Sequence, residues 1–327
     1  MKNFDPKWRD FPHFIIGITK DIWEDRKIAL LEDCYHRDII VRGAGGMKIG
    51  CQAVIDDTLA KMAAFPDLQI LAEDVIWSGG DDTHYLSSHR TVITGTQTGD
   101  GAFGPASGKR YYARCIADCA VTDGVFDDEW LVFDTGSIIR QLGQDPRDFA
   151  RRQIMSEGGP QNAKRPFTPD QDRLGPYILH GNKTVIGTRF EDILRCIMHK
   201  DIAVIGKCYD RAVRIEHPGV GGWTCGFAEA AWMGLRSSFP SATFTVHHVI
   251  GNDAAGRPPR AAVRWSLDGA HSGYGKFGPP TGADVHVMGI SHAEFGPWGL
   301  QREFTQYDEV AIWKQIEMQT GRFTKGD

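Results

Sequence analysis

No run of about 18 apolar residues occurs in the 327-residue chain, and its start, Met1-Lys2-Asn3-Phe4-Asp5-Pro6, has no apolar stretch of signal-peptide length. Membrane-spanning and secreted classes are thereby disfavoured and a cytoplasmic protein is expected. Basic charge is not in surplus: 37 Lys and Arg stand against 42 Asp and Glu, a net charge of −5. Such a balance offers no field that could track a phosphate backbone or an anionic bilayer, so no nucleic acid and no membrane partner is expected. The seven cysteines form no Cys-x-x-Cys pair suited to zinc or redox work and read as buried thiols. His-Glu-x-x-His, Gly-x-Ser-x-Gly and P-loop strings are absent, and Gly43-Ala44-Gly45-Gly46 lacks the strand and later glycine of a dinucleotide fingerprint. The expectation is no metal and no cofactor, with a small-molecule substrate as the partner.

What the chain does have is an internal repeat. Slid by 174 positions, Cys34-Tyr35 meets Cys208-Tyr209, Cys51 meets Cys225, Phe65-Pro66 meets Phe239-Pro240, and Arg90 meets Arg264. The register continues without a gap through Phe103-Gly104-Pro105 on Phe277-Gly278-Pro279, and on to Asp134 on Asp308 and Gln141 on Gln315. Ordered Gly and Pro matches mean recurring backbone turns, because those residues answer to φ constraints. The chain is read as a tandem duplication, with domain 1 at 1–147, a linker at 148–180 rich in turn formers, and domain 2 at 181–327.

Within the second copy Phe190, Ile193, Leu194, Ile197 and Met198 recur at helical spacing. A second helix is predicted to contain Ile202, Ile205 and Tyr209, and a third stops at Phe239-Pro240. After these, residues 243–249, 262–267, 285–295 and 300–307 alternate as half-buried strands. Helices followed by strands with Gly-Pro turns argue for an α+β class: in each copy, N-terminal helices packed on a curved antiparallel sheet.

Strand alternation then groups the polar residues. His286, His292 and Glu294 share one strand face, and Phe304, Gln306 and Asp308 share a face of the next. A carboxylate held among apolar groups loses hydration and titrates nearer neutrality, which suits proton transfer. Asp308 is therefore the first candidate acid/base, oriented by His292, Glu294 and Gln306. In the first copy Asp134 is retained, with Asp118 as a second carboxylate; Tyr112 and Arg114 alternate with Asp118, and His89-Arg90 lies on the neighbouring strand. Arg114 or Arg90 could hold an anionic substrate group, as could an internal salt bridge account for them. His217 is expected to reach a pocket mouth, and Arg264, Trp265, His286 and Trp130 to help bind substrate or wall it in.

Taken together, Phe239-Pro240, Arg264-Trp265, Gly269-Ala270-His271-Ser272-Gly273 and the strand ending at Asp308, with Phe65-Pro66, Asp123-Gly124 and the 128–134 strand of the first copy, resemble tandem SnoaL-like polyketide cyclase domains of the nuclear transport factor 2-like superfamily. The resemblance implies two tandem cone-shaped α+β barrels, each with an apolar cavity and without metal or nucleotide. It implies an Asp on the last strand, matched by Asp308 and Asp134, as acid/base of an intramolecular aldol condensation. Where the family often has an assisting His, this chain has Glu294 and Ala120. The expected activity is aldol-type cyclisation or enolisation of a small carbonyl compound. The rivals are a hydrolase or dehydratase working through Asp118 and Asp134, and a non-catalytic binder. The two copies are expected to pair as an intramolecular pseudo-dimer; further homo-oligomerisation is left open.

Overall fold

The computed structural model describes residues 1–79 and 83–321. Two compact units emerge, one comprising residues 1–144 with 167–179, the other 145–166 with the chain from 180 onward.

The first unit runs α1 (Phe11–Thr19), extended by a π-helical turn over Lys20–Glu24, then α2 (Leu30–Cys34), β1 (Tyr35–Gly43), β2 (Gly46–Ile49), α3 (Cys51–Ala64), β3 (Gln69–Gly79), β4 (His84–Thr96), β5 (Arg110–Thr122), β6 (Val125–Phe133) and α4 (Thr135–Gln141). Helix α5 (Pro146–Ser156) follows. The second unit repeats the order as α6 (Val185–Met198), α7 (Ala203–Cys208), β7 (Tyr209–His217), β8 (Val220–Trp223), α8 (Cys225–Ser238), β9 (Thr243–Asn252), β10 (Arg260–Ala270), β11 (Asp284–Gly296), β12 (Gly299–Tyr307) and α9 (Glu309–Thr320). The first residues of β1, β2, α3, β3, β5, β6 and α4 recur in their counterparts at the 174-residue separation read from the sequence. The two sheets also share one strand order, β2-β1-β6-β5-β4-β3 and β8-β7-β12-β11-β10-β9.

The sheets are mixed rather than wholly antiparallel. β1 pairs with β6, and β7 with β12, in parallel; the other neighbours are antiparallel. The reason is connection length. β1 and β6 are separated by most of the domain, which allows a crossover, whereas β4, β5 and β6 follow one another through turns. Tyr209, expected at the end of a helix, opens β7 instead: α7 ends at Cys208 and Tyr209 is already extended, at φ −91° and ψ 148°.

Helix ends follow local chemistry. Asp10 accepts the His13 N–H and Thr184 the Gly187 N–H, so α1 and α6 begin on side-chain caps. Before α3 the chain passes through φ +91° at Gly50; its counterpart before α8 is Thr224 at φ +83°, a strained position for a β-branched residue.

Residues 148–180 are not simply a linker. Asp145 caps α5 by accepting from Arg147 and Asp148 N–H, with Pro146 opening the helix, and Phe149, Ala150 and Ile154 are buried. Arg147 and Arg151 reach Glu317 of α9 at 2.5 and 2.8 Å, and Lys314 reaches Glu157 at 2.7 Å, which fastens α5 to the second unit. Residues 167–179 belong to the first unit: buried Arg42 binds Asp172 at 2.5 Å and donates to the Arg173 carbonyl at 2.6 Å.

Four cysteines are buried and three half-buried, all free. Among the described residues no helix is long and apolar enough to cross a membrane.

Candidate active site

Strand register decides which side chains share a space. In the first unit Val41, Glu129, Cys119 and Ser87 lie opposite one another across β1, β6, β5 and β4. Val41 and Cys119 belong to the apolar core, so this row faces the helices. The next row, Arg42, Trp130, Asp118 and Ser88, faces the other way.

On the inner face is a cavity of about 210 Å3, lined by aromatic and aliphatic side chains including Trp23, Phe65, Phe103, Tyr111 and Phe126. A void of roughly 150 Å3 already admits benzene, so the space accepts a ring-sized molecule. Its wall also carries Glu129, Tyr35, Cys119 and His89, together with Lys48, Asp57 and Lys61. Glu129 is 5% exposed. The Tyr35 hydroxyl donates to its Oε2 at 3.4 Å and the Cys119 thiol to its Oε1 at 3.3 Å. Burial raises the Glu129 carboxyl to about 7, against the smaller opposing pull of the thiol, the hydroxyl and the charges of Lys61 and Lys48. Burial and the neighbouring carboxylate hold Tyr35 and Cys119 protonated well above their usual ranges. Burial alone lowers His89 to about 4, which leaves a neutral imidazole near neutral pH, its Nδ1 3.1 Å from Ser87 Oγ.

The second unit keeps the carboxylate and surrounds it with hydrogen-bonding side chains. Ile215, Glu303, Ala293 and Ala261 form the equivalent inner row. Glu303 is fully buried and receives Tyr209 Oη at 2.5 Å, Thr305 Oγ1 at 2.8 Å and Trp232 Nε1 at 3.4 Å, with His217 Nε2 at 2.8 Å. Burial opposes its charge, but His217 and these hydrogen bonds outweigh burial and hold the carboxyl below its ordinary value. At the positions of cavity-lining Thr58 and Thr91 stand Trp232 and Trp265, both 0% exposed with ring centroids 6.1 Å apart. The swap is compensated across the sheet. Thr91 faces Cys115, whereas Trp265 faces Gly289, where a Cβ would come within 2.2 Å of the indole.

Of the side chains singled out from sequence, His89, His217 and Trp265 come to the inner faces. Asp134 and Asp308 do not act as strand residues. Each is the residue where strand turns into helix, and each places its carboxylate on helix N–H groups. Asp134 accepts from Ser137 at 2.9 Å, and Asp308 from Val310 and Ala311 at 2.8 and 3.1 Å. His286, His292, Glu294, Arg264 and Gln306 occupy rows on the opposite face from Glu303, as the pairings Arg264–Ile290–Gln306 and Ala262–His292–Phe304 require. There His286 Nδ1 lies 2.5 Å from Asp268, and Glu294 meets Arg302 at 3.3 Å. Asp118 and Trp130 likewise face away from the cavity, with the Arg42 guanidinium 4.7 Å above the indole. Arg90 and Arg114 share Glu73 at 2.9 and 2.7 Å, and Tyr112 is 57% exposed. Glu129, Tyr35, Lys48 and Lys61 were not singled out from sequence. The repeat carried a signal for two of them, since Tyr35 aligns with Tyr209 and Glu129 with Glu303.

Among the described residues no group of three His, Cys, Asp or Glu side chains is gathered as metal ligands. Each unit thus has α+β architecture, with one curved mixed sheet carrying a buried carboxylate on its helix-facing side. Residues 14–142 match the family model of the SnoaL-like polyketide cyclases. That match lies wholly in the first domain, and the second domain repeats the first domain's topology. Similar solved structures include IdmH from Streptomyces antibioticus, with 19% identity over 40% of this chain and 96% of that one and a TM-score of 0.35. TsrD from Streptomyces laurentii shows 21% identity over 43% and 98%, TM-score 0.35. A SnoaL-like polyketide cyclase from Agrobacterium tumefaciens shows 20% identity over 40% and 96%, TM-score 0.33. No curated protein matches the chain.

Proposed function

We propose that the first domain is an acid/base enzyme acting on a small, partly apolar carbonyl compound, and that Glu129 moves the proton. The observation that carries this reading is a carboxyl buried on the wall of a cavity and raised to about 7. A base that titrates near working pH combines a useful ionised fraction with real proton affinity. In the enolisation step the C–H electron pair beside the carbonyl becomes the enolate and the proton passes to a Glu129 oxygen. Neutral His89 on the same wall donates a hydrogen bond to the developing oxyanion. Tyr35 and Cys119, held protonated, fix the carboxylate and do not compete for the proton. Attack of the enolate carbon on a second carbonyl then gives aldol-type closure, and the proton is returned to the alkoxide.

The hydrolase or dehydratase alternative has less support, because Asp118 faces away from the cavity and Asp134 caps α4. For the second domain a non-catalytic role is favoured by a specific observation: Glu303 is hydrogen-bonded by four side chains while Trp232 and Trp265 fill the space.

The test is exchange of the α-protons of an aryl methyl ketone such as 2-acetonaphthone in D2O, followed by NMR. Wild type should exchange faster as pH rises through about 7, and Glu129→Gln should lose roughly 10²-fold or more of the catalysed rate. A Glu129→Gln protein that exchanges like wild type would remove the proposal.

A further inference from the structure

Lys48 on β2 and Lys61 on α3 each place Nζ 2.8 Å from the same atom, Asp57 Oδ2, and all three side chains line the first domain's cavity. Two ammonium groups thus converge on one carboxylate oxygen at the rim, while the Glu129 carboxyl lies on the same, otherwise largely apolar, wall. The three side chains are 33–43% exposed, so these charges sit where the cavity meets water.

The duplication supplies an internal control. At the positions of Lys48, Asp57 and Lys61 the second domain has Gly222, Ala231 and Leu235, yet β8 and α8 form with the same lengths as β2 and α3. The charged trio is therefore not a requirement of this fold. It is present in the copy whose cavity Thr58 and Thr91 line and absent from the copy in which Trp232 and Trp265 stand at those positions.

We infer that the ligand of this cavity carries a carboxylate, held by Lys48 and Lys61 at the mouth, while a ring-sized apolar body extends inward past Glu129. The inference rests on reading that cavity as the substrate site, and it names the class of molecule. Charge-assisted hydrogen bonds to two converging ammonium groups favour an oxyanion over a neutral isostere, and partial exposure lets the anion enter without full loss of hydration.

Isothermal titration of the full chain with 2-naphthoate and with 2-naphthamide tests it. The carboxylate is expected to bind at least tenfold more tightly. Lys48→Gln combined with Lys61→Gln should bring its affinity down to near that of the amide and weaken amide binding much less. Asp57→Asn keeps both lysines and removes their internal counter-ion, so it should tighten naphthoate binding severalfold. Equal affinities in wild type, no binding of either probe, or weaker naphthoate binding by Asp57→Asn would overturn the inference. Carboxylate preference without proton exchange would sink the Glu129 mechanism and leave this inference standing, so the two can fail separately.

Discussion

Replacing Glu129 by Gln should change how stability depends on pH, and the size follows from its position. The folded carboxyl titrates near 7 where an ordinary Glu titrates at 4.5. Between those values the folded protein retains a proton that the unfolded chain has released, so stability falls as pH rises from about 4.5 and the loss is complete above about 7. At roughly 1.4 kcal/mol per pH unit the whole loss is about 3 kcal/mol. Gln does not titrate. The difference in unfolding free energy between Glu129→Gln and wild type should therefore move in favour of the variant by about 2–3 kcal/mol between pH near 5 and pH near 8.5. Urea unfolding of both proteins at the two pH values measures it, because titrating groups not coupled to Glu129 cancel in the difference. An unchanged difference would mean that the carboxyl titrates as a hydrated Glu, and the argument for Glu129 as a base near neutrality would fall with it.

The second domain's carboxylate should behave in the opposite sense. Glu303 is held below its ordinary value, so the stability it contributes is present above 4.5 and is lost as pH falls through its folded value. Glu303→Gln should cost about 3–5 kcal/mol near neutral pH in urea unfolding, while ketone proton exchange is unaffected. Asp134→Ala and Asp308→Ala should each lower stability by about 0.5–2 kcal/mol through loss of a helix cap and leave proton exchange intact. Loss of exchange with unchanged melting would instead move the catalytic role from Glu129 to these residues. Gly289→Ala should cost about 1–3 kcal/mol in thermal melts, since the new methyl meets the Trp265 indole. Adding Trp265→Thr should relieve that clash, and a strictly additive double mutant would show that the two do not share the space.

Much of the architecture was readable because the evidence was local or repeated. Phe190 to Met198 show one helical face and form α6, the alternating segments of the second copy form β9 to β12, and the 174-residue repeat predicted two units of like topology. The site was harder to read, for a specific reason. Alternation separates inside from outside only when one face of a strand is wet. In β10, eight successive residues are buried, and in β11 nine are, so both faces read alike. With no polar face to set the phase, alternation singles out His292 and Gln306 and passes over Glu303. The last strand posed a second difficulty, because it ends one residue before Asp308 and the chain turns immediately into α9. A carboxylate at that junction is worth more to the helix N–H groups than to a cavity.

Sequence by itself determined the duplication, the α+β class and most strand positions, since these follow from residue spacing and turn chemistry. Tertiary structure alone decided which face of each sheet encloses space, and that Glu129 borders a cavity while Glu303 is packed and hydrogen-bonded. It also decided that Lys48 and Lys61 converge on one oxygen. Those outcomes depend on how side chains distant along the chain fill a common volume. Trp232 and Trp265 fill in one copy the equivalent of what Thr58 and Thr91 help leave open in the other, and no local pattern encodes that difference.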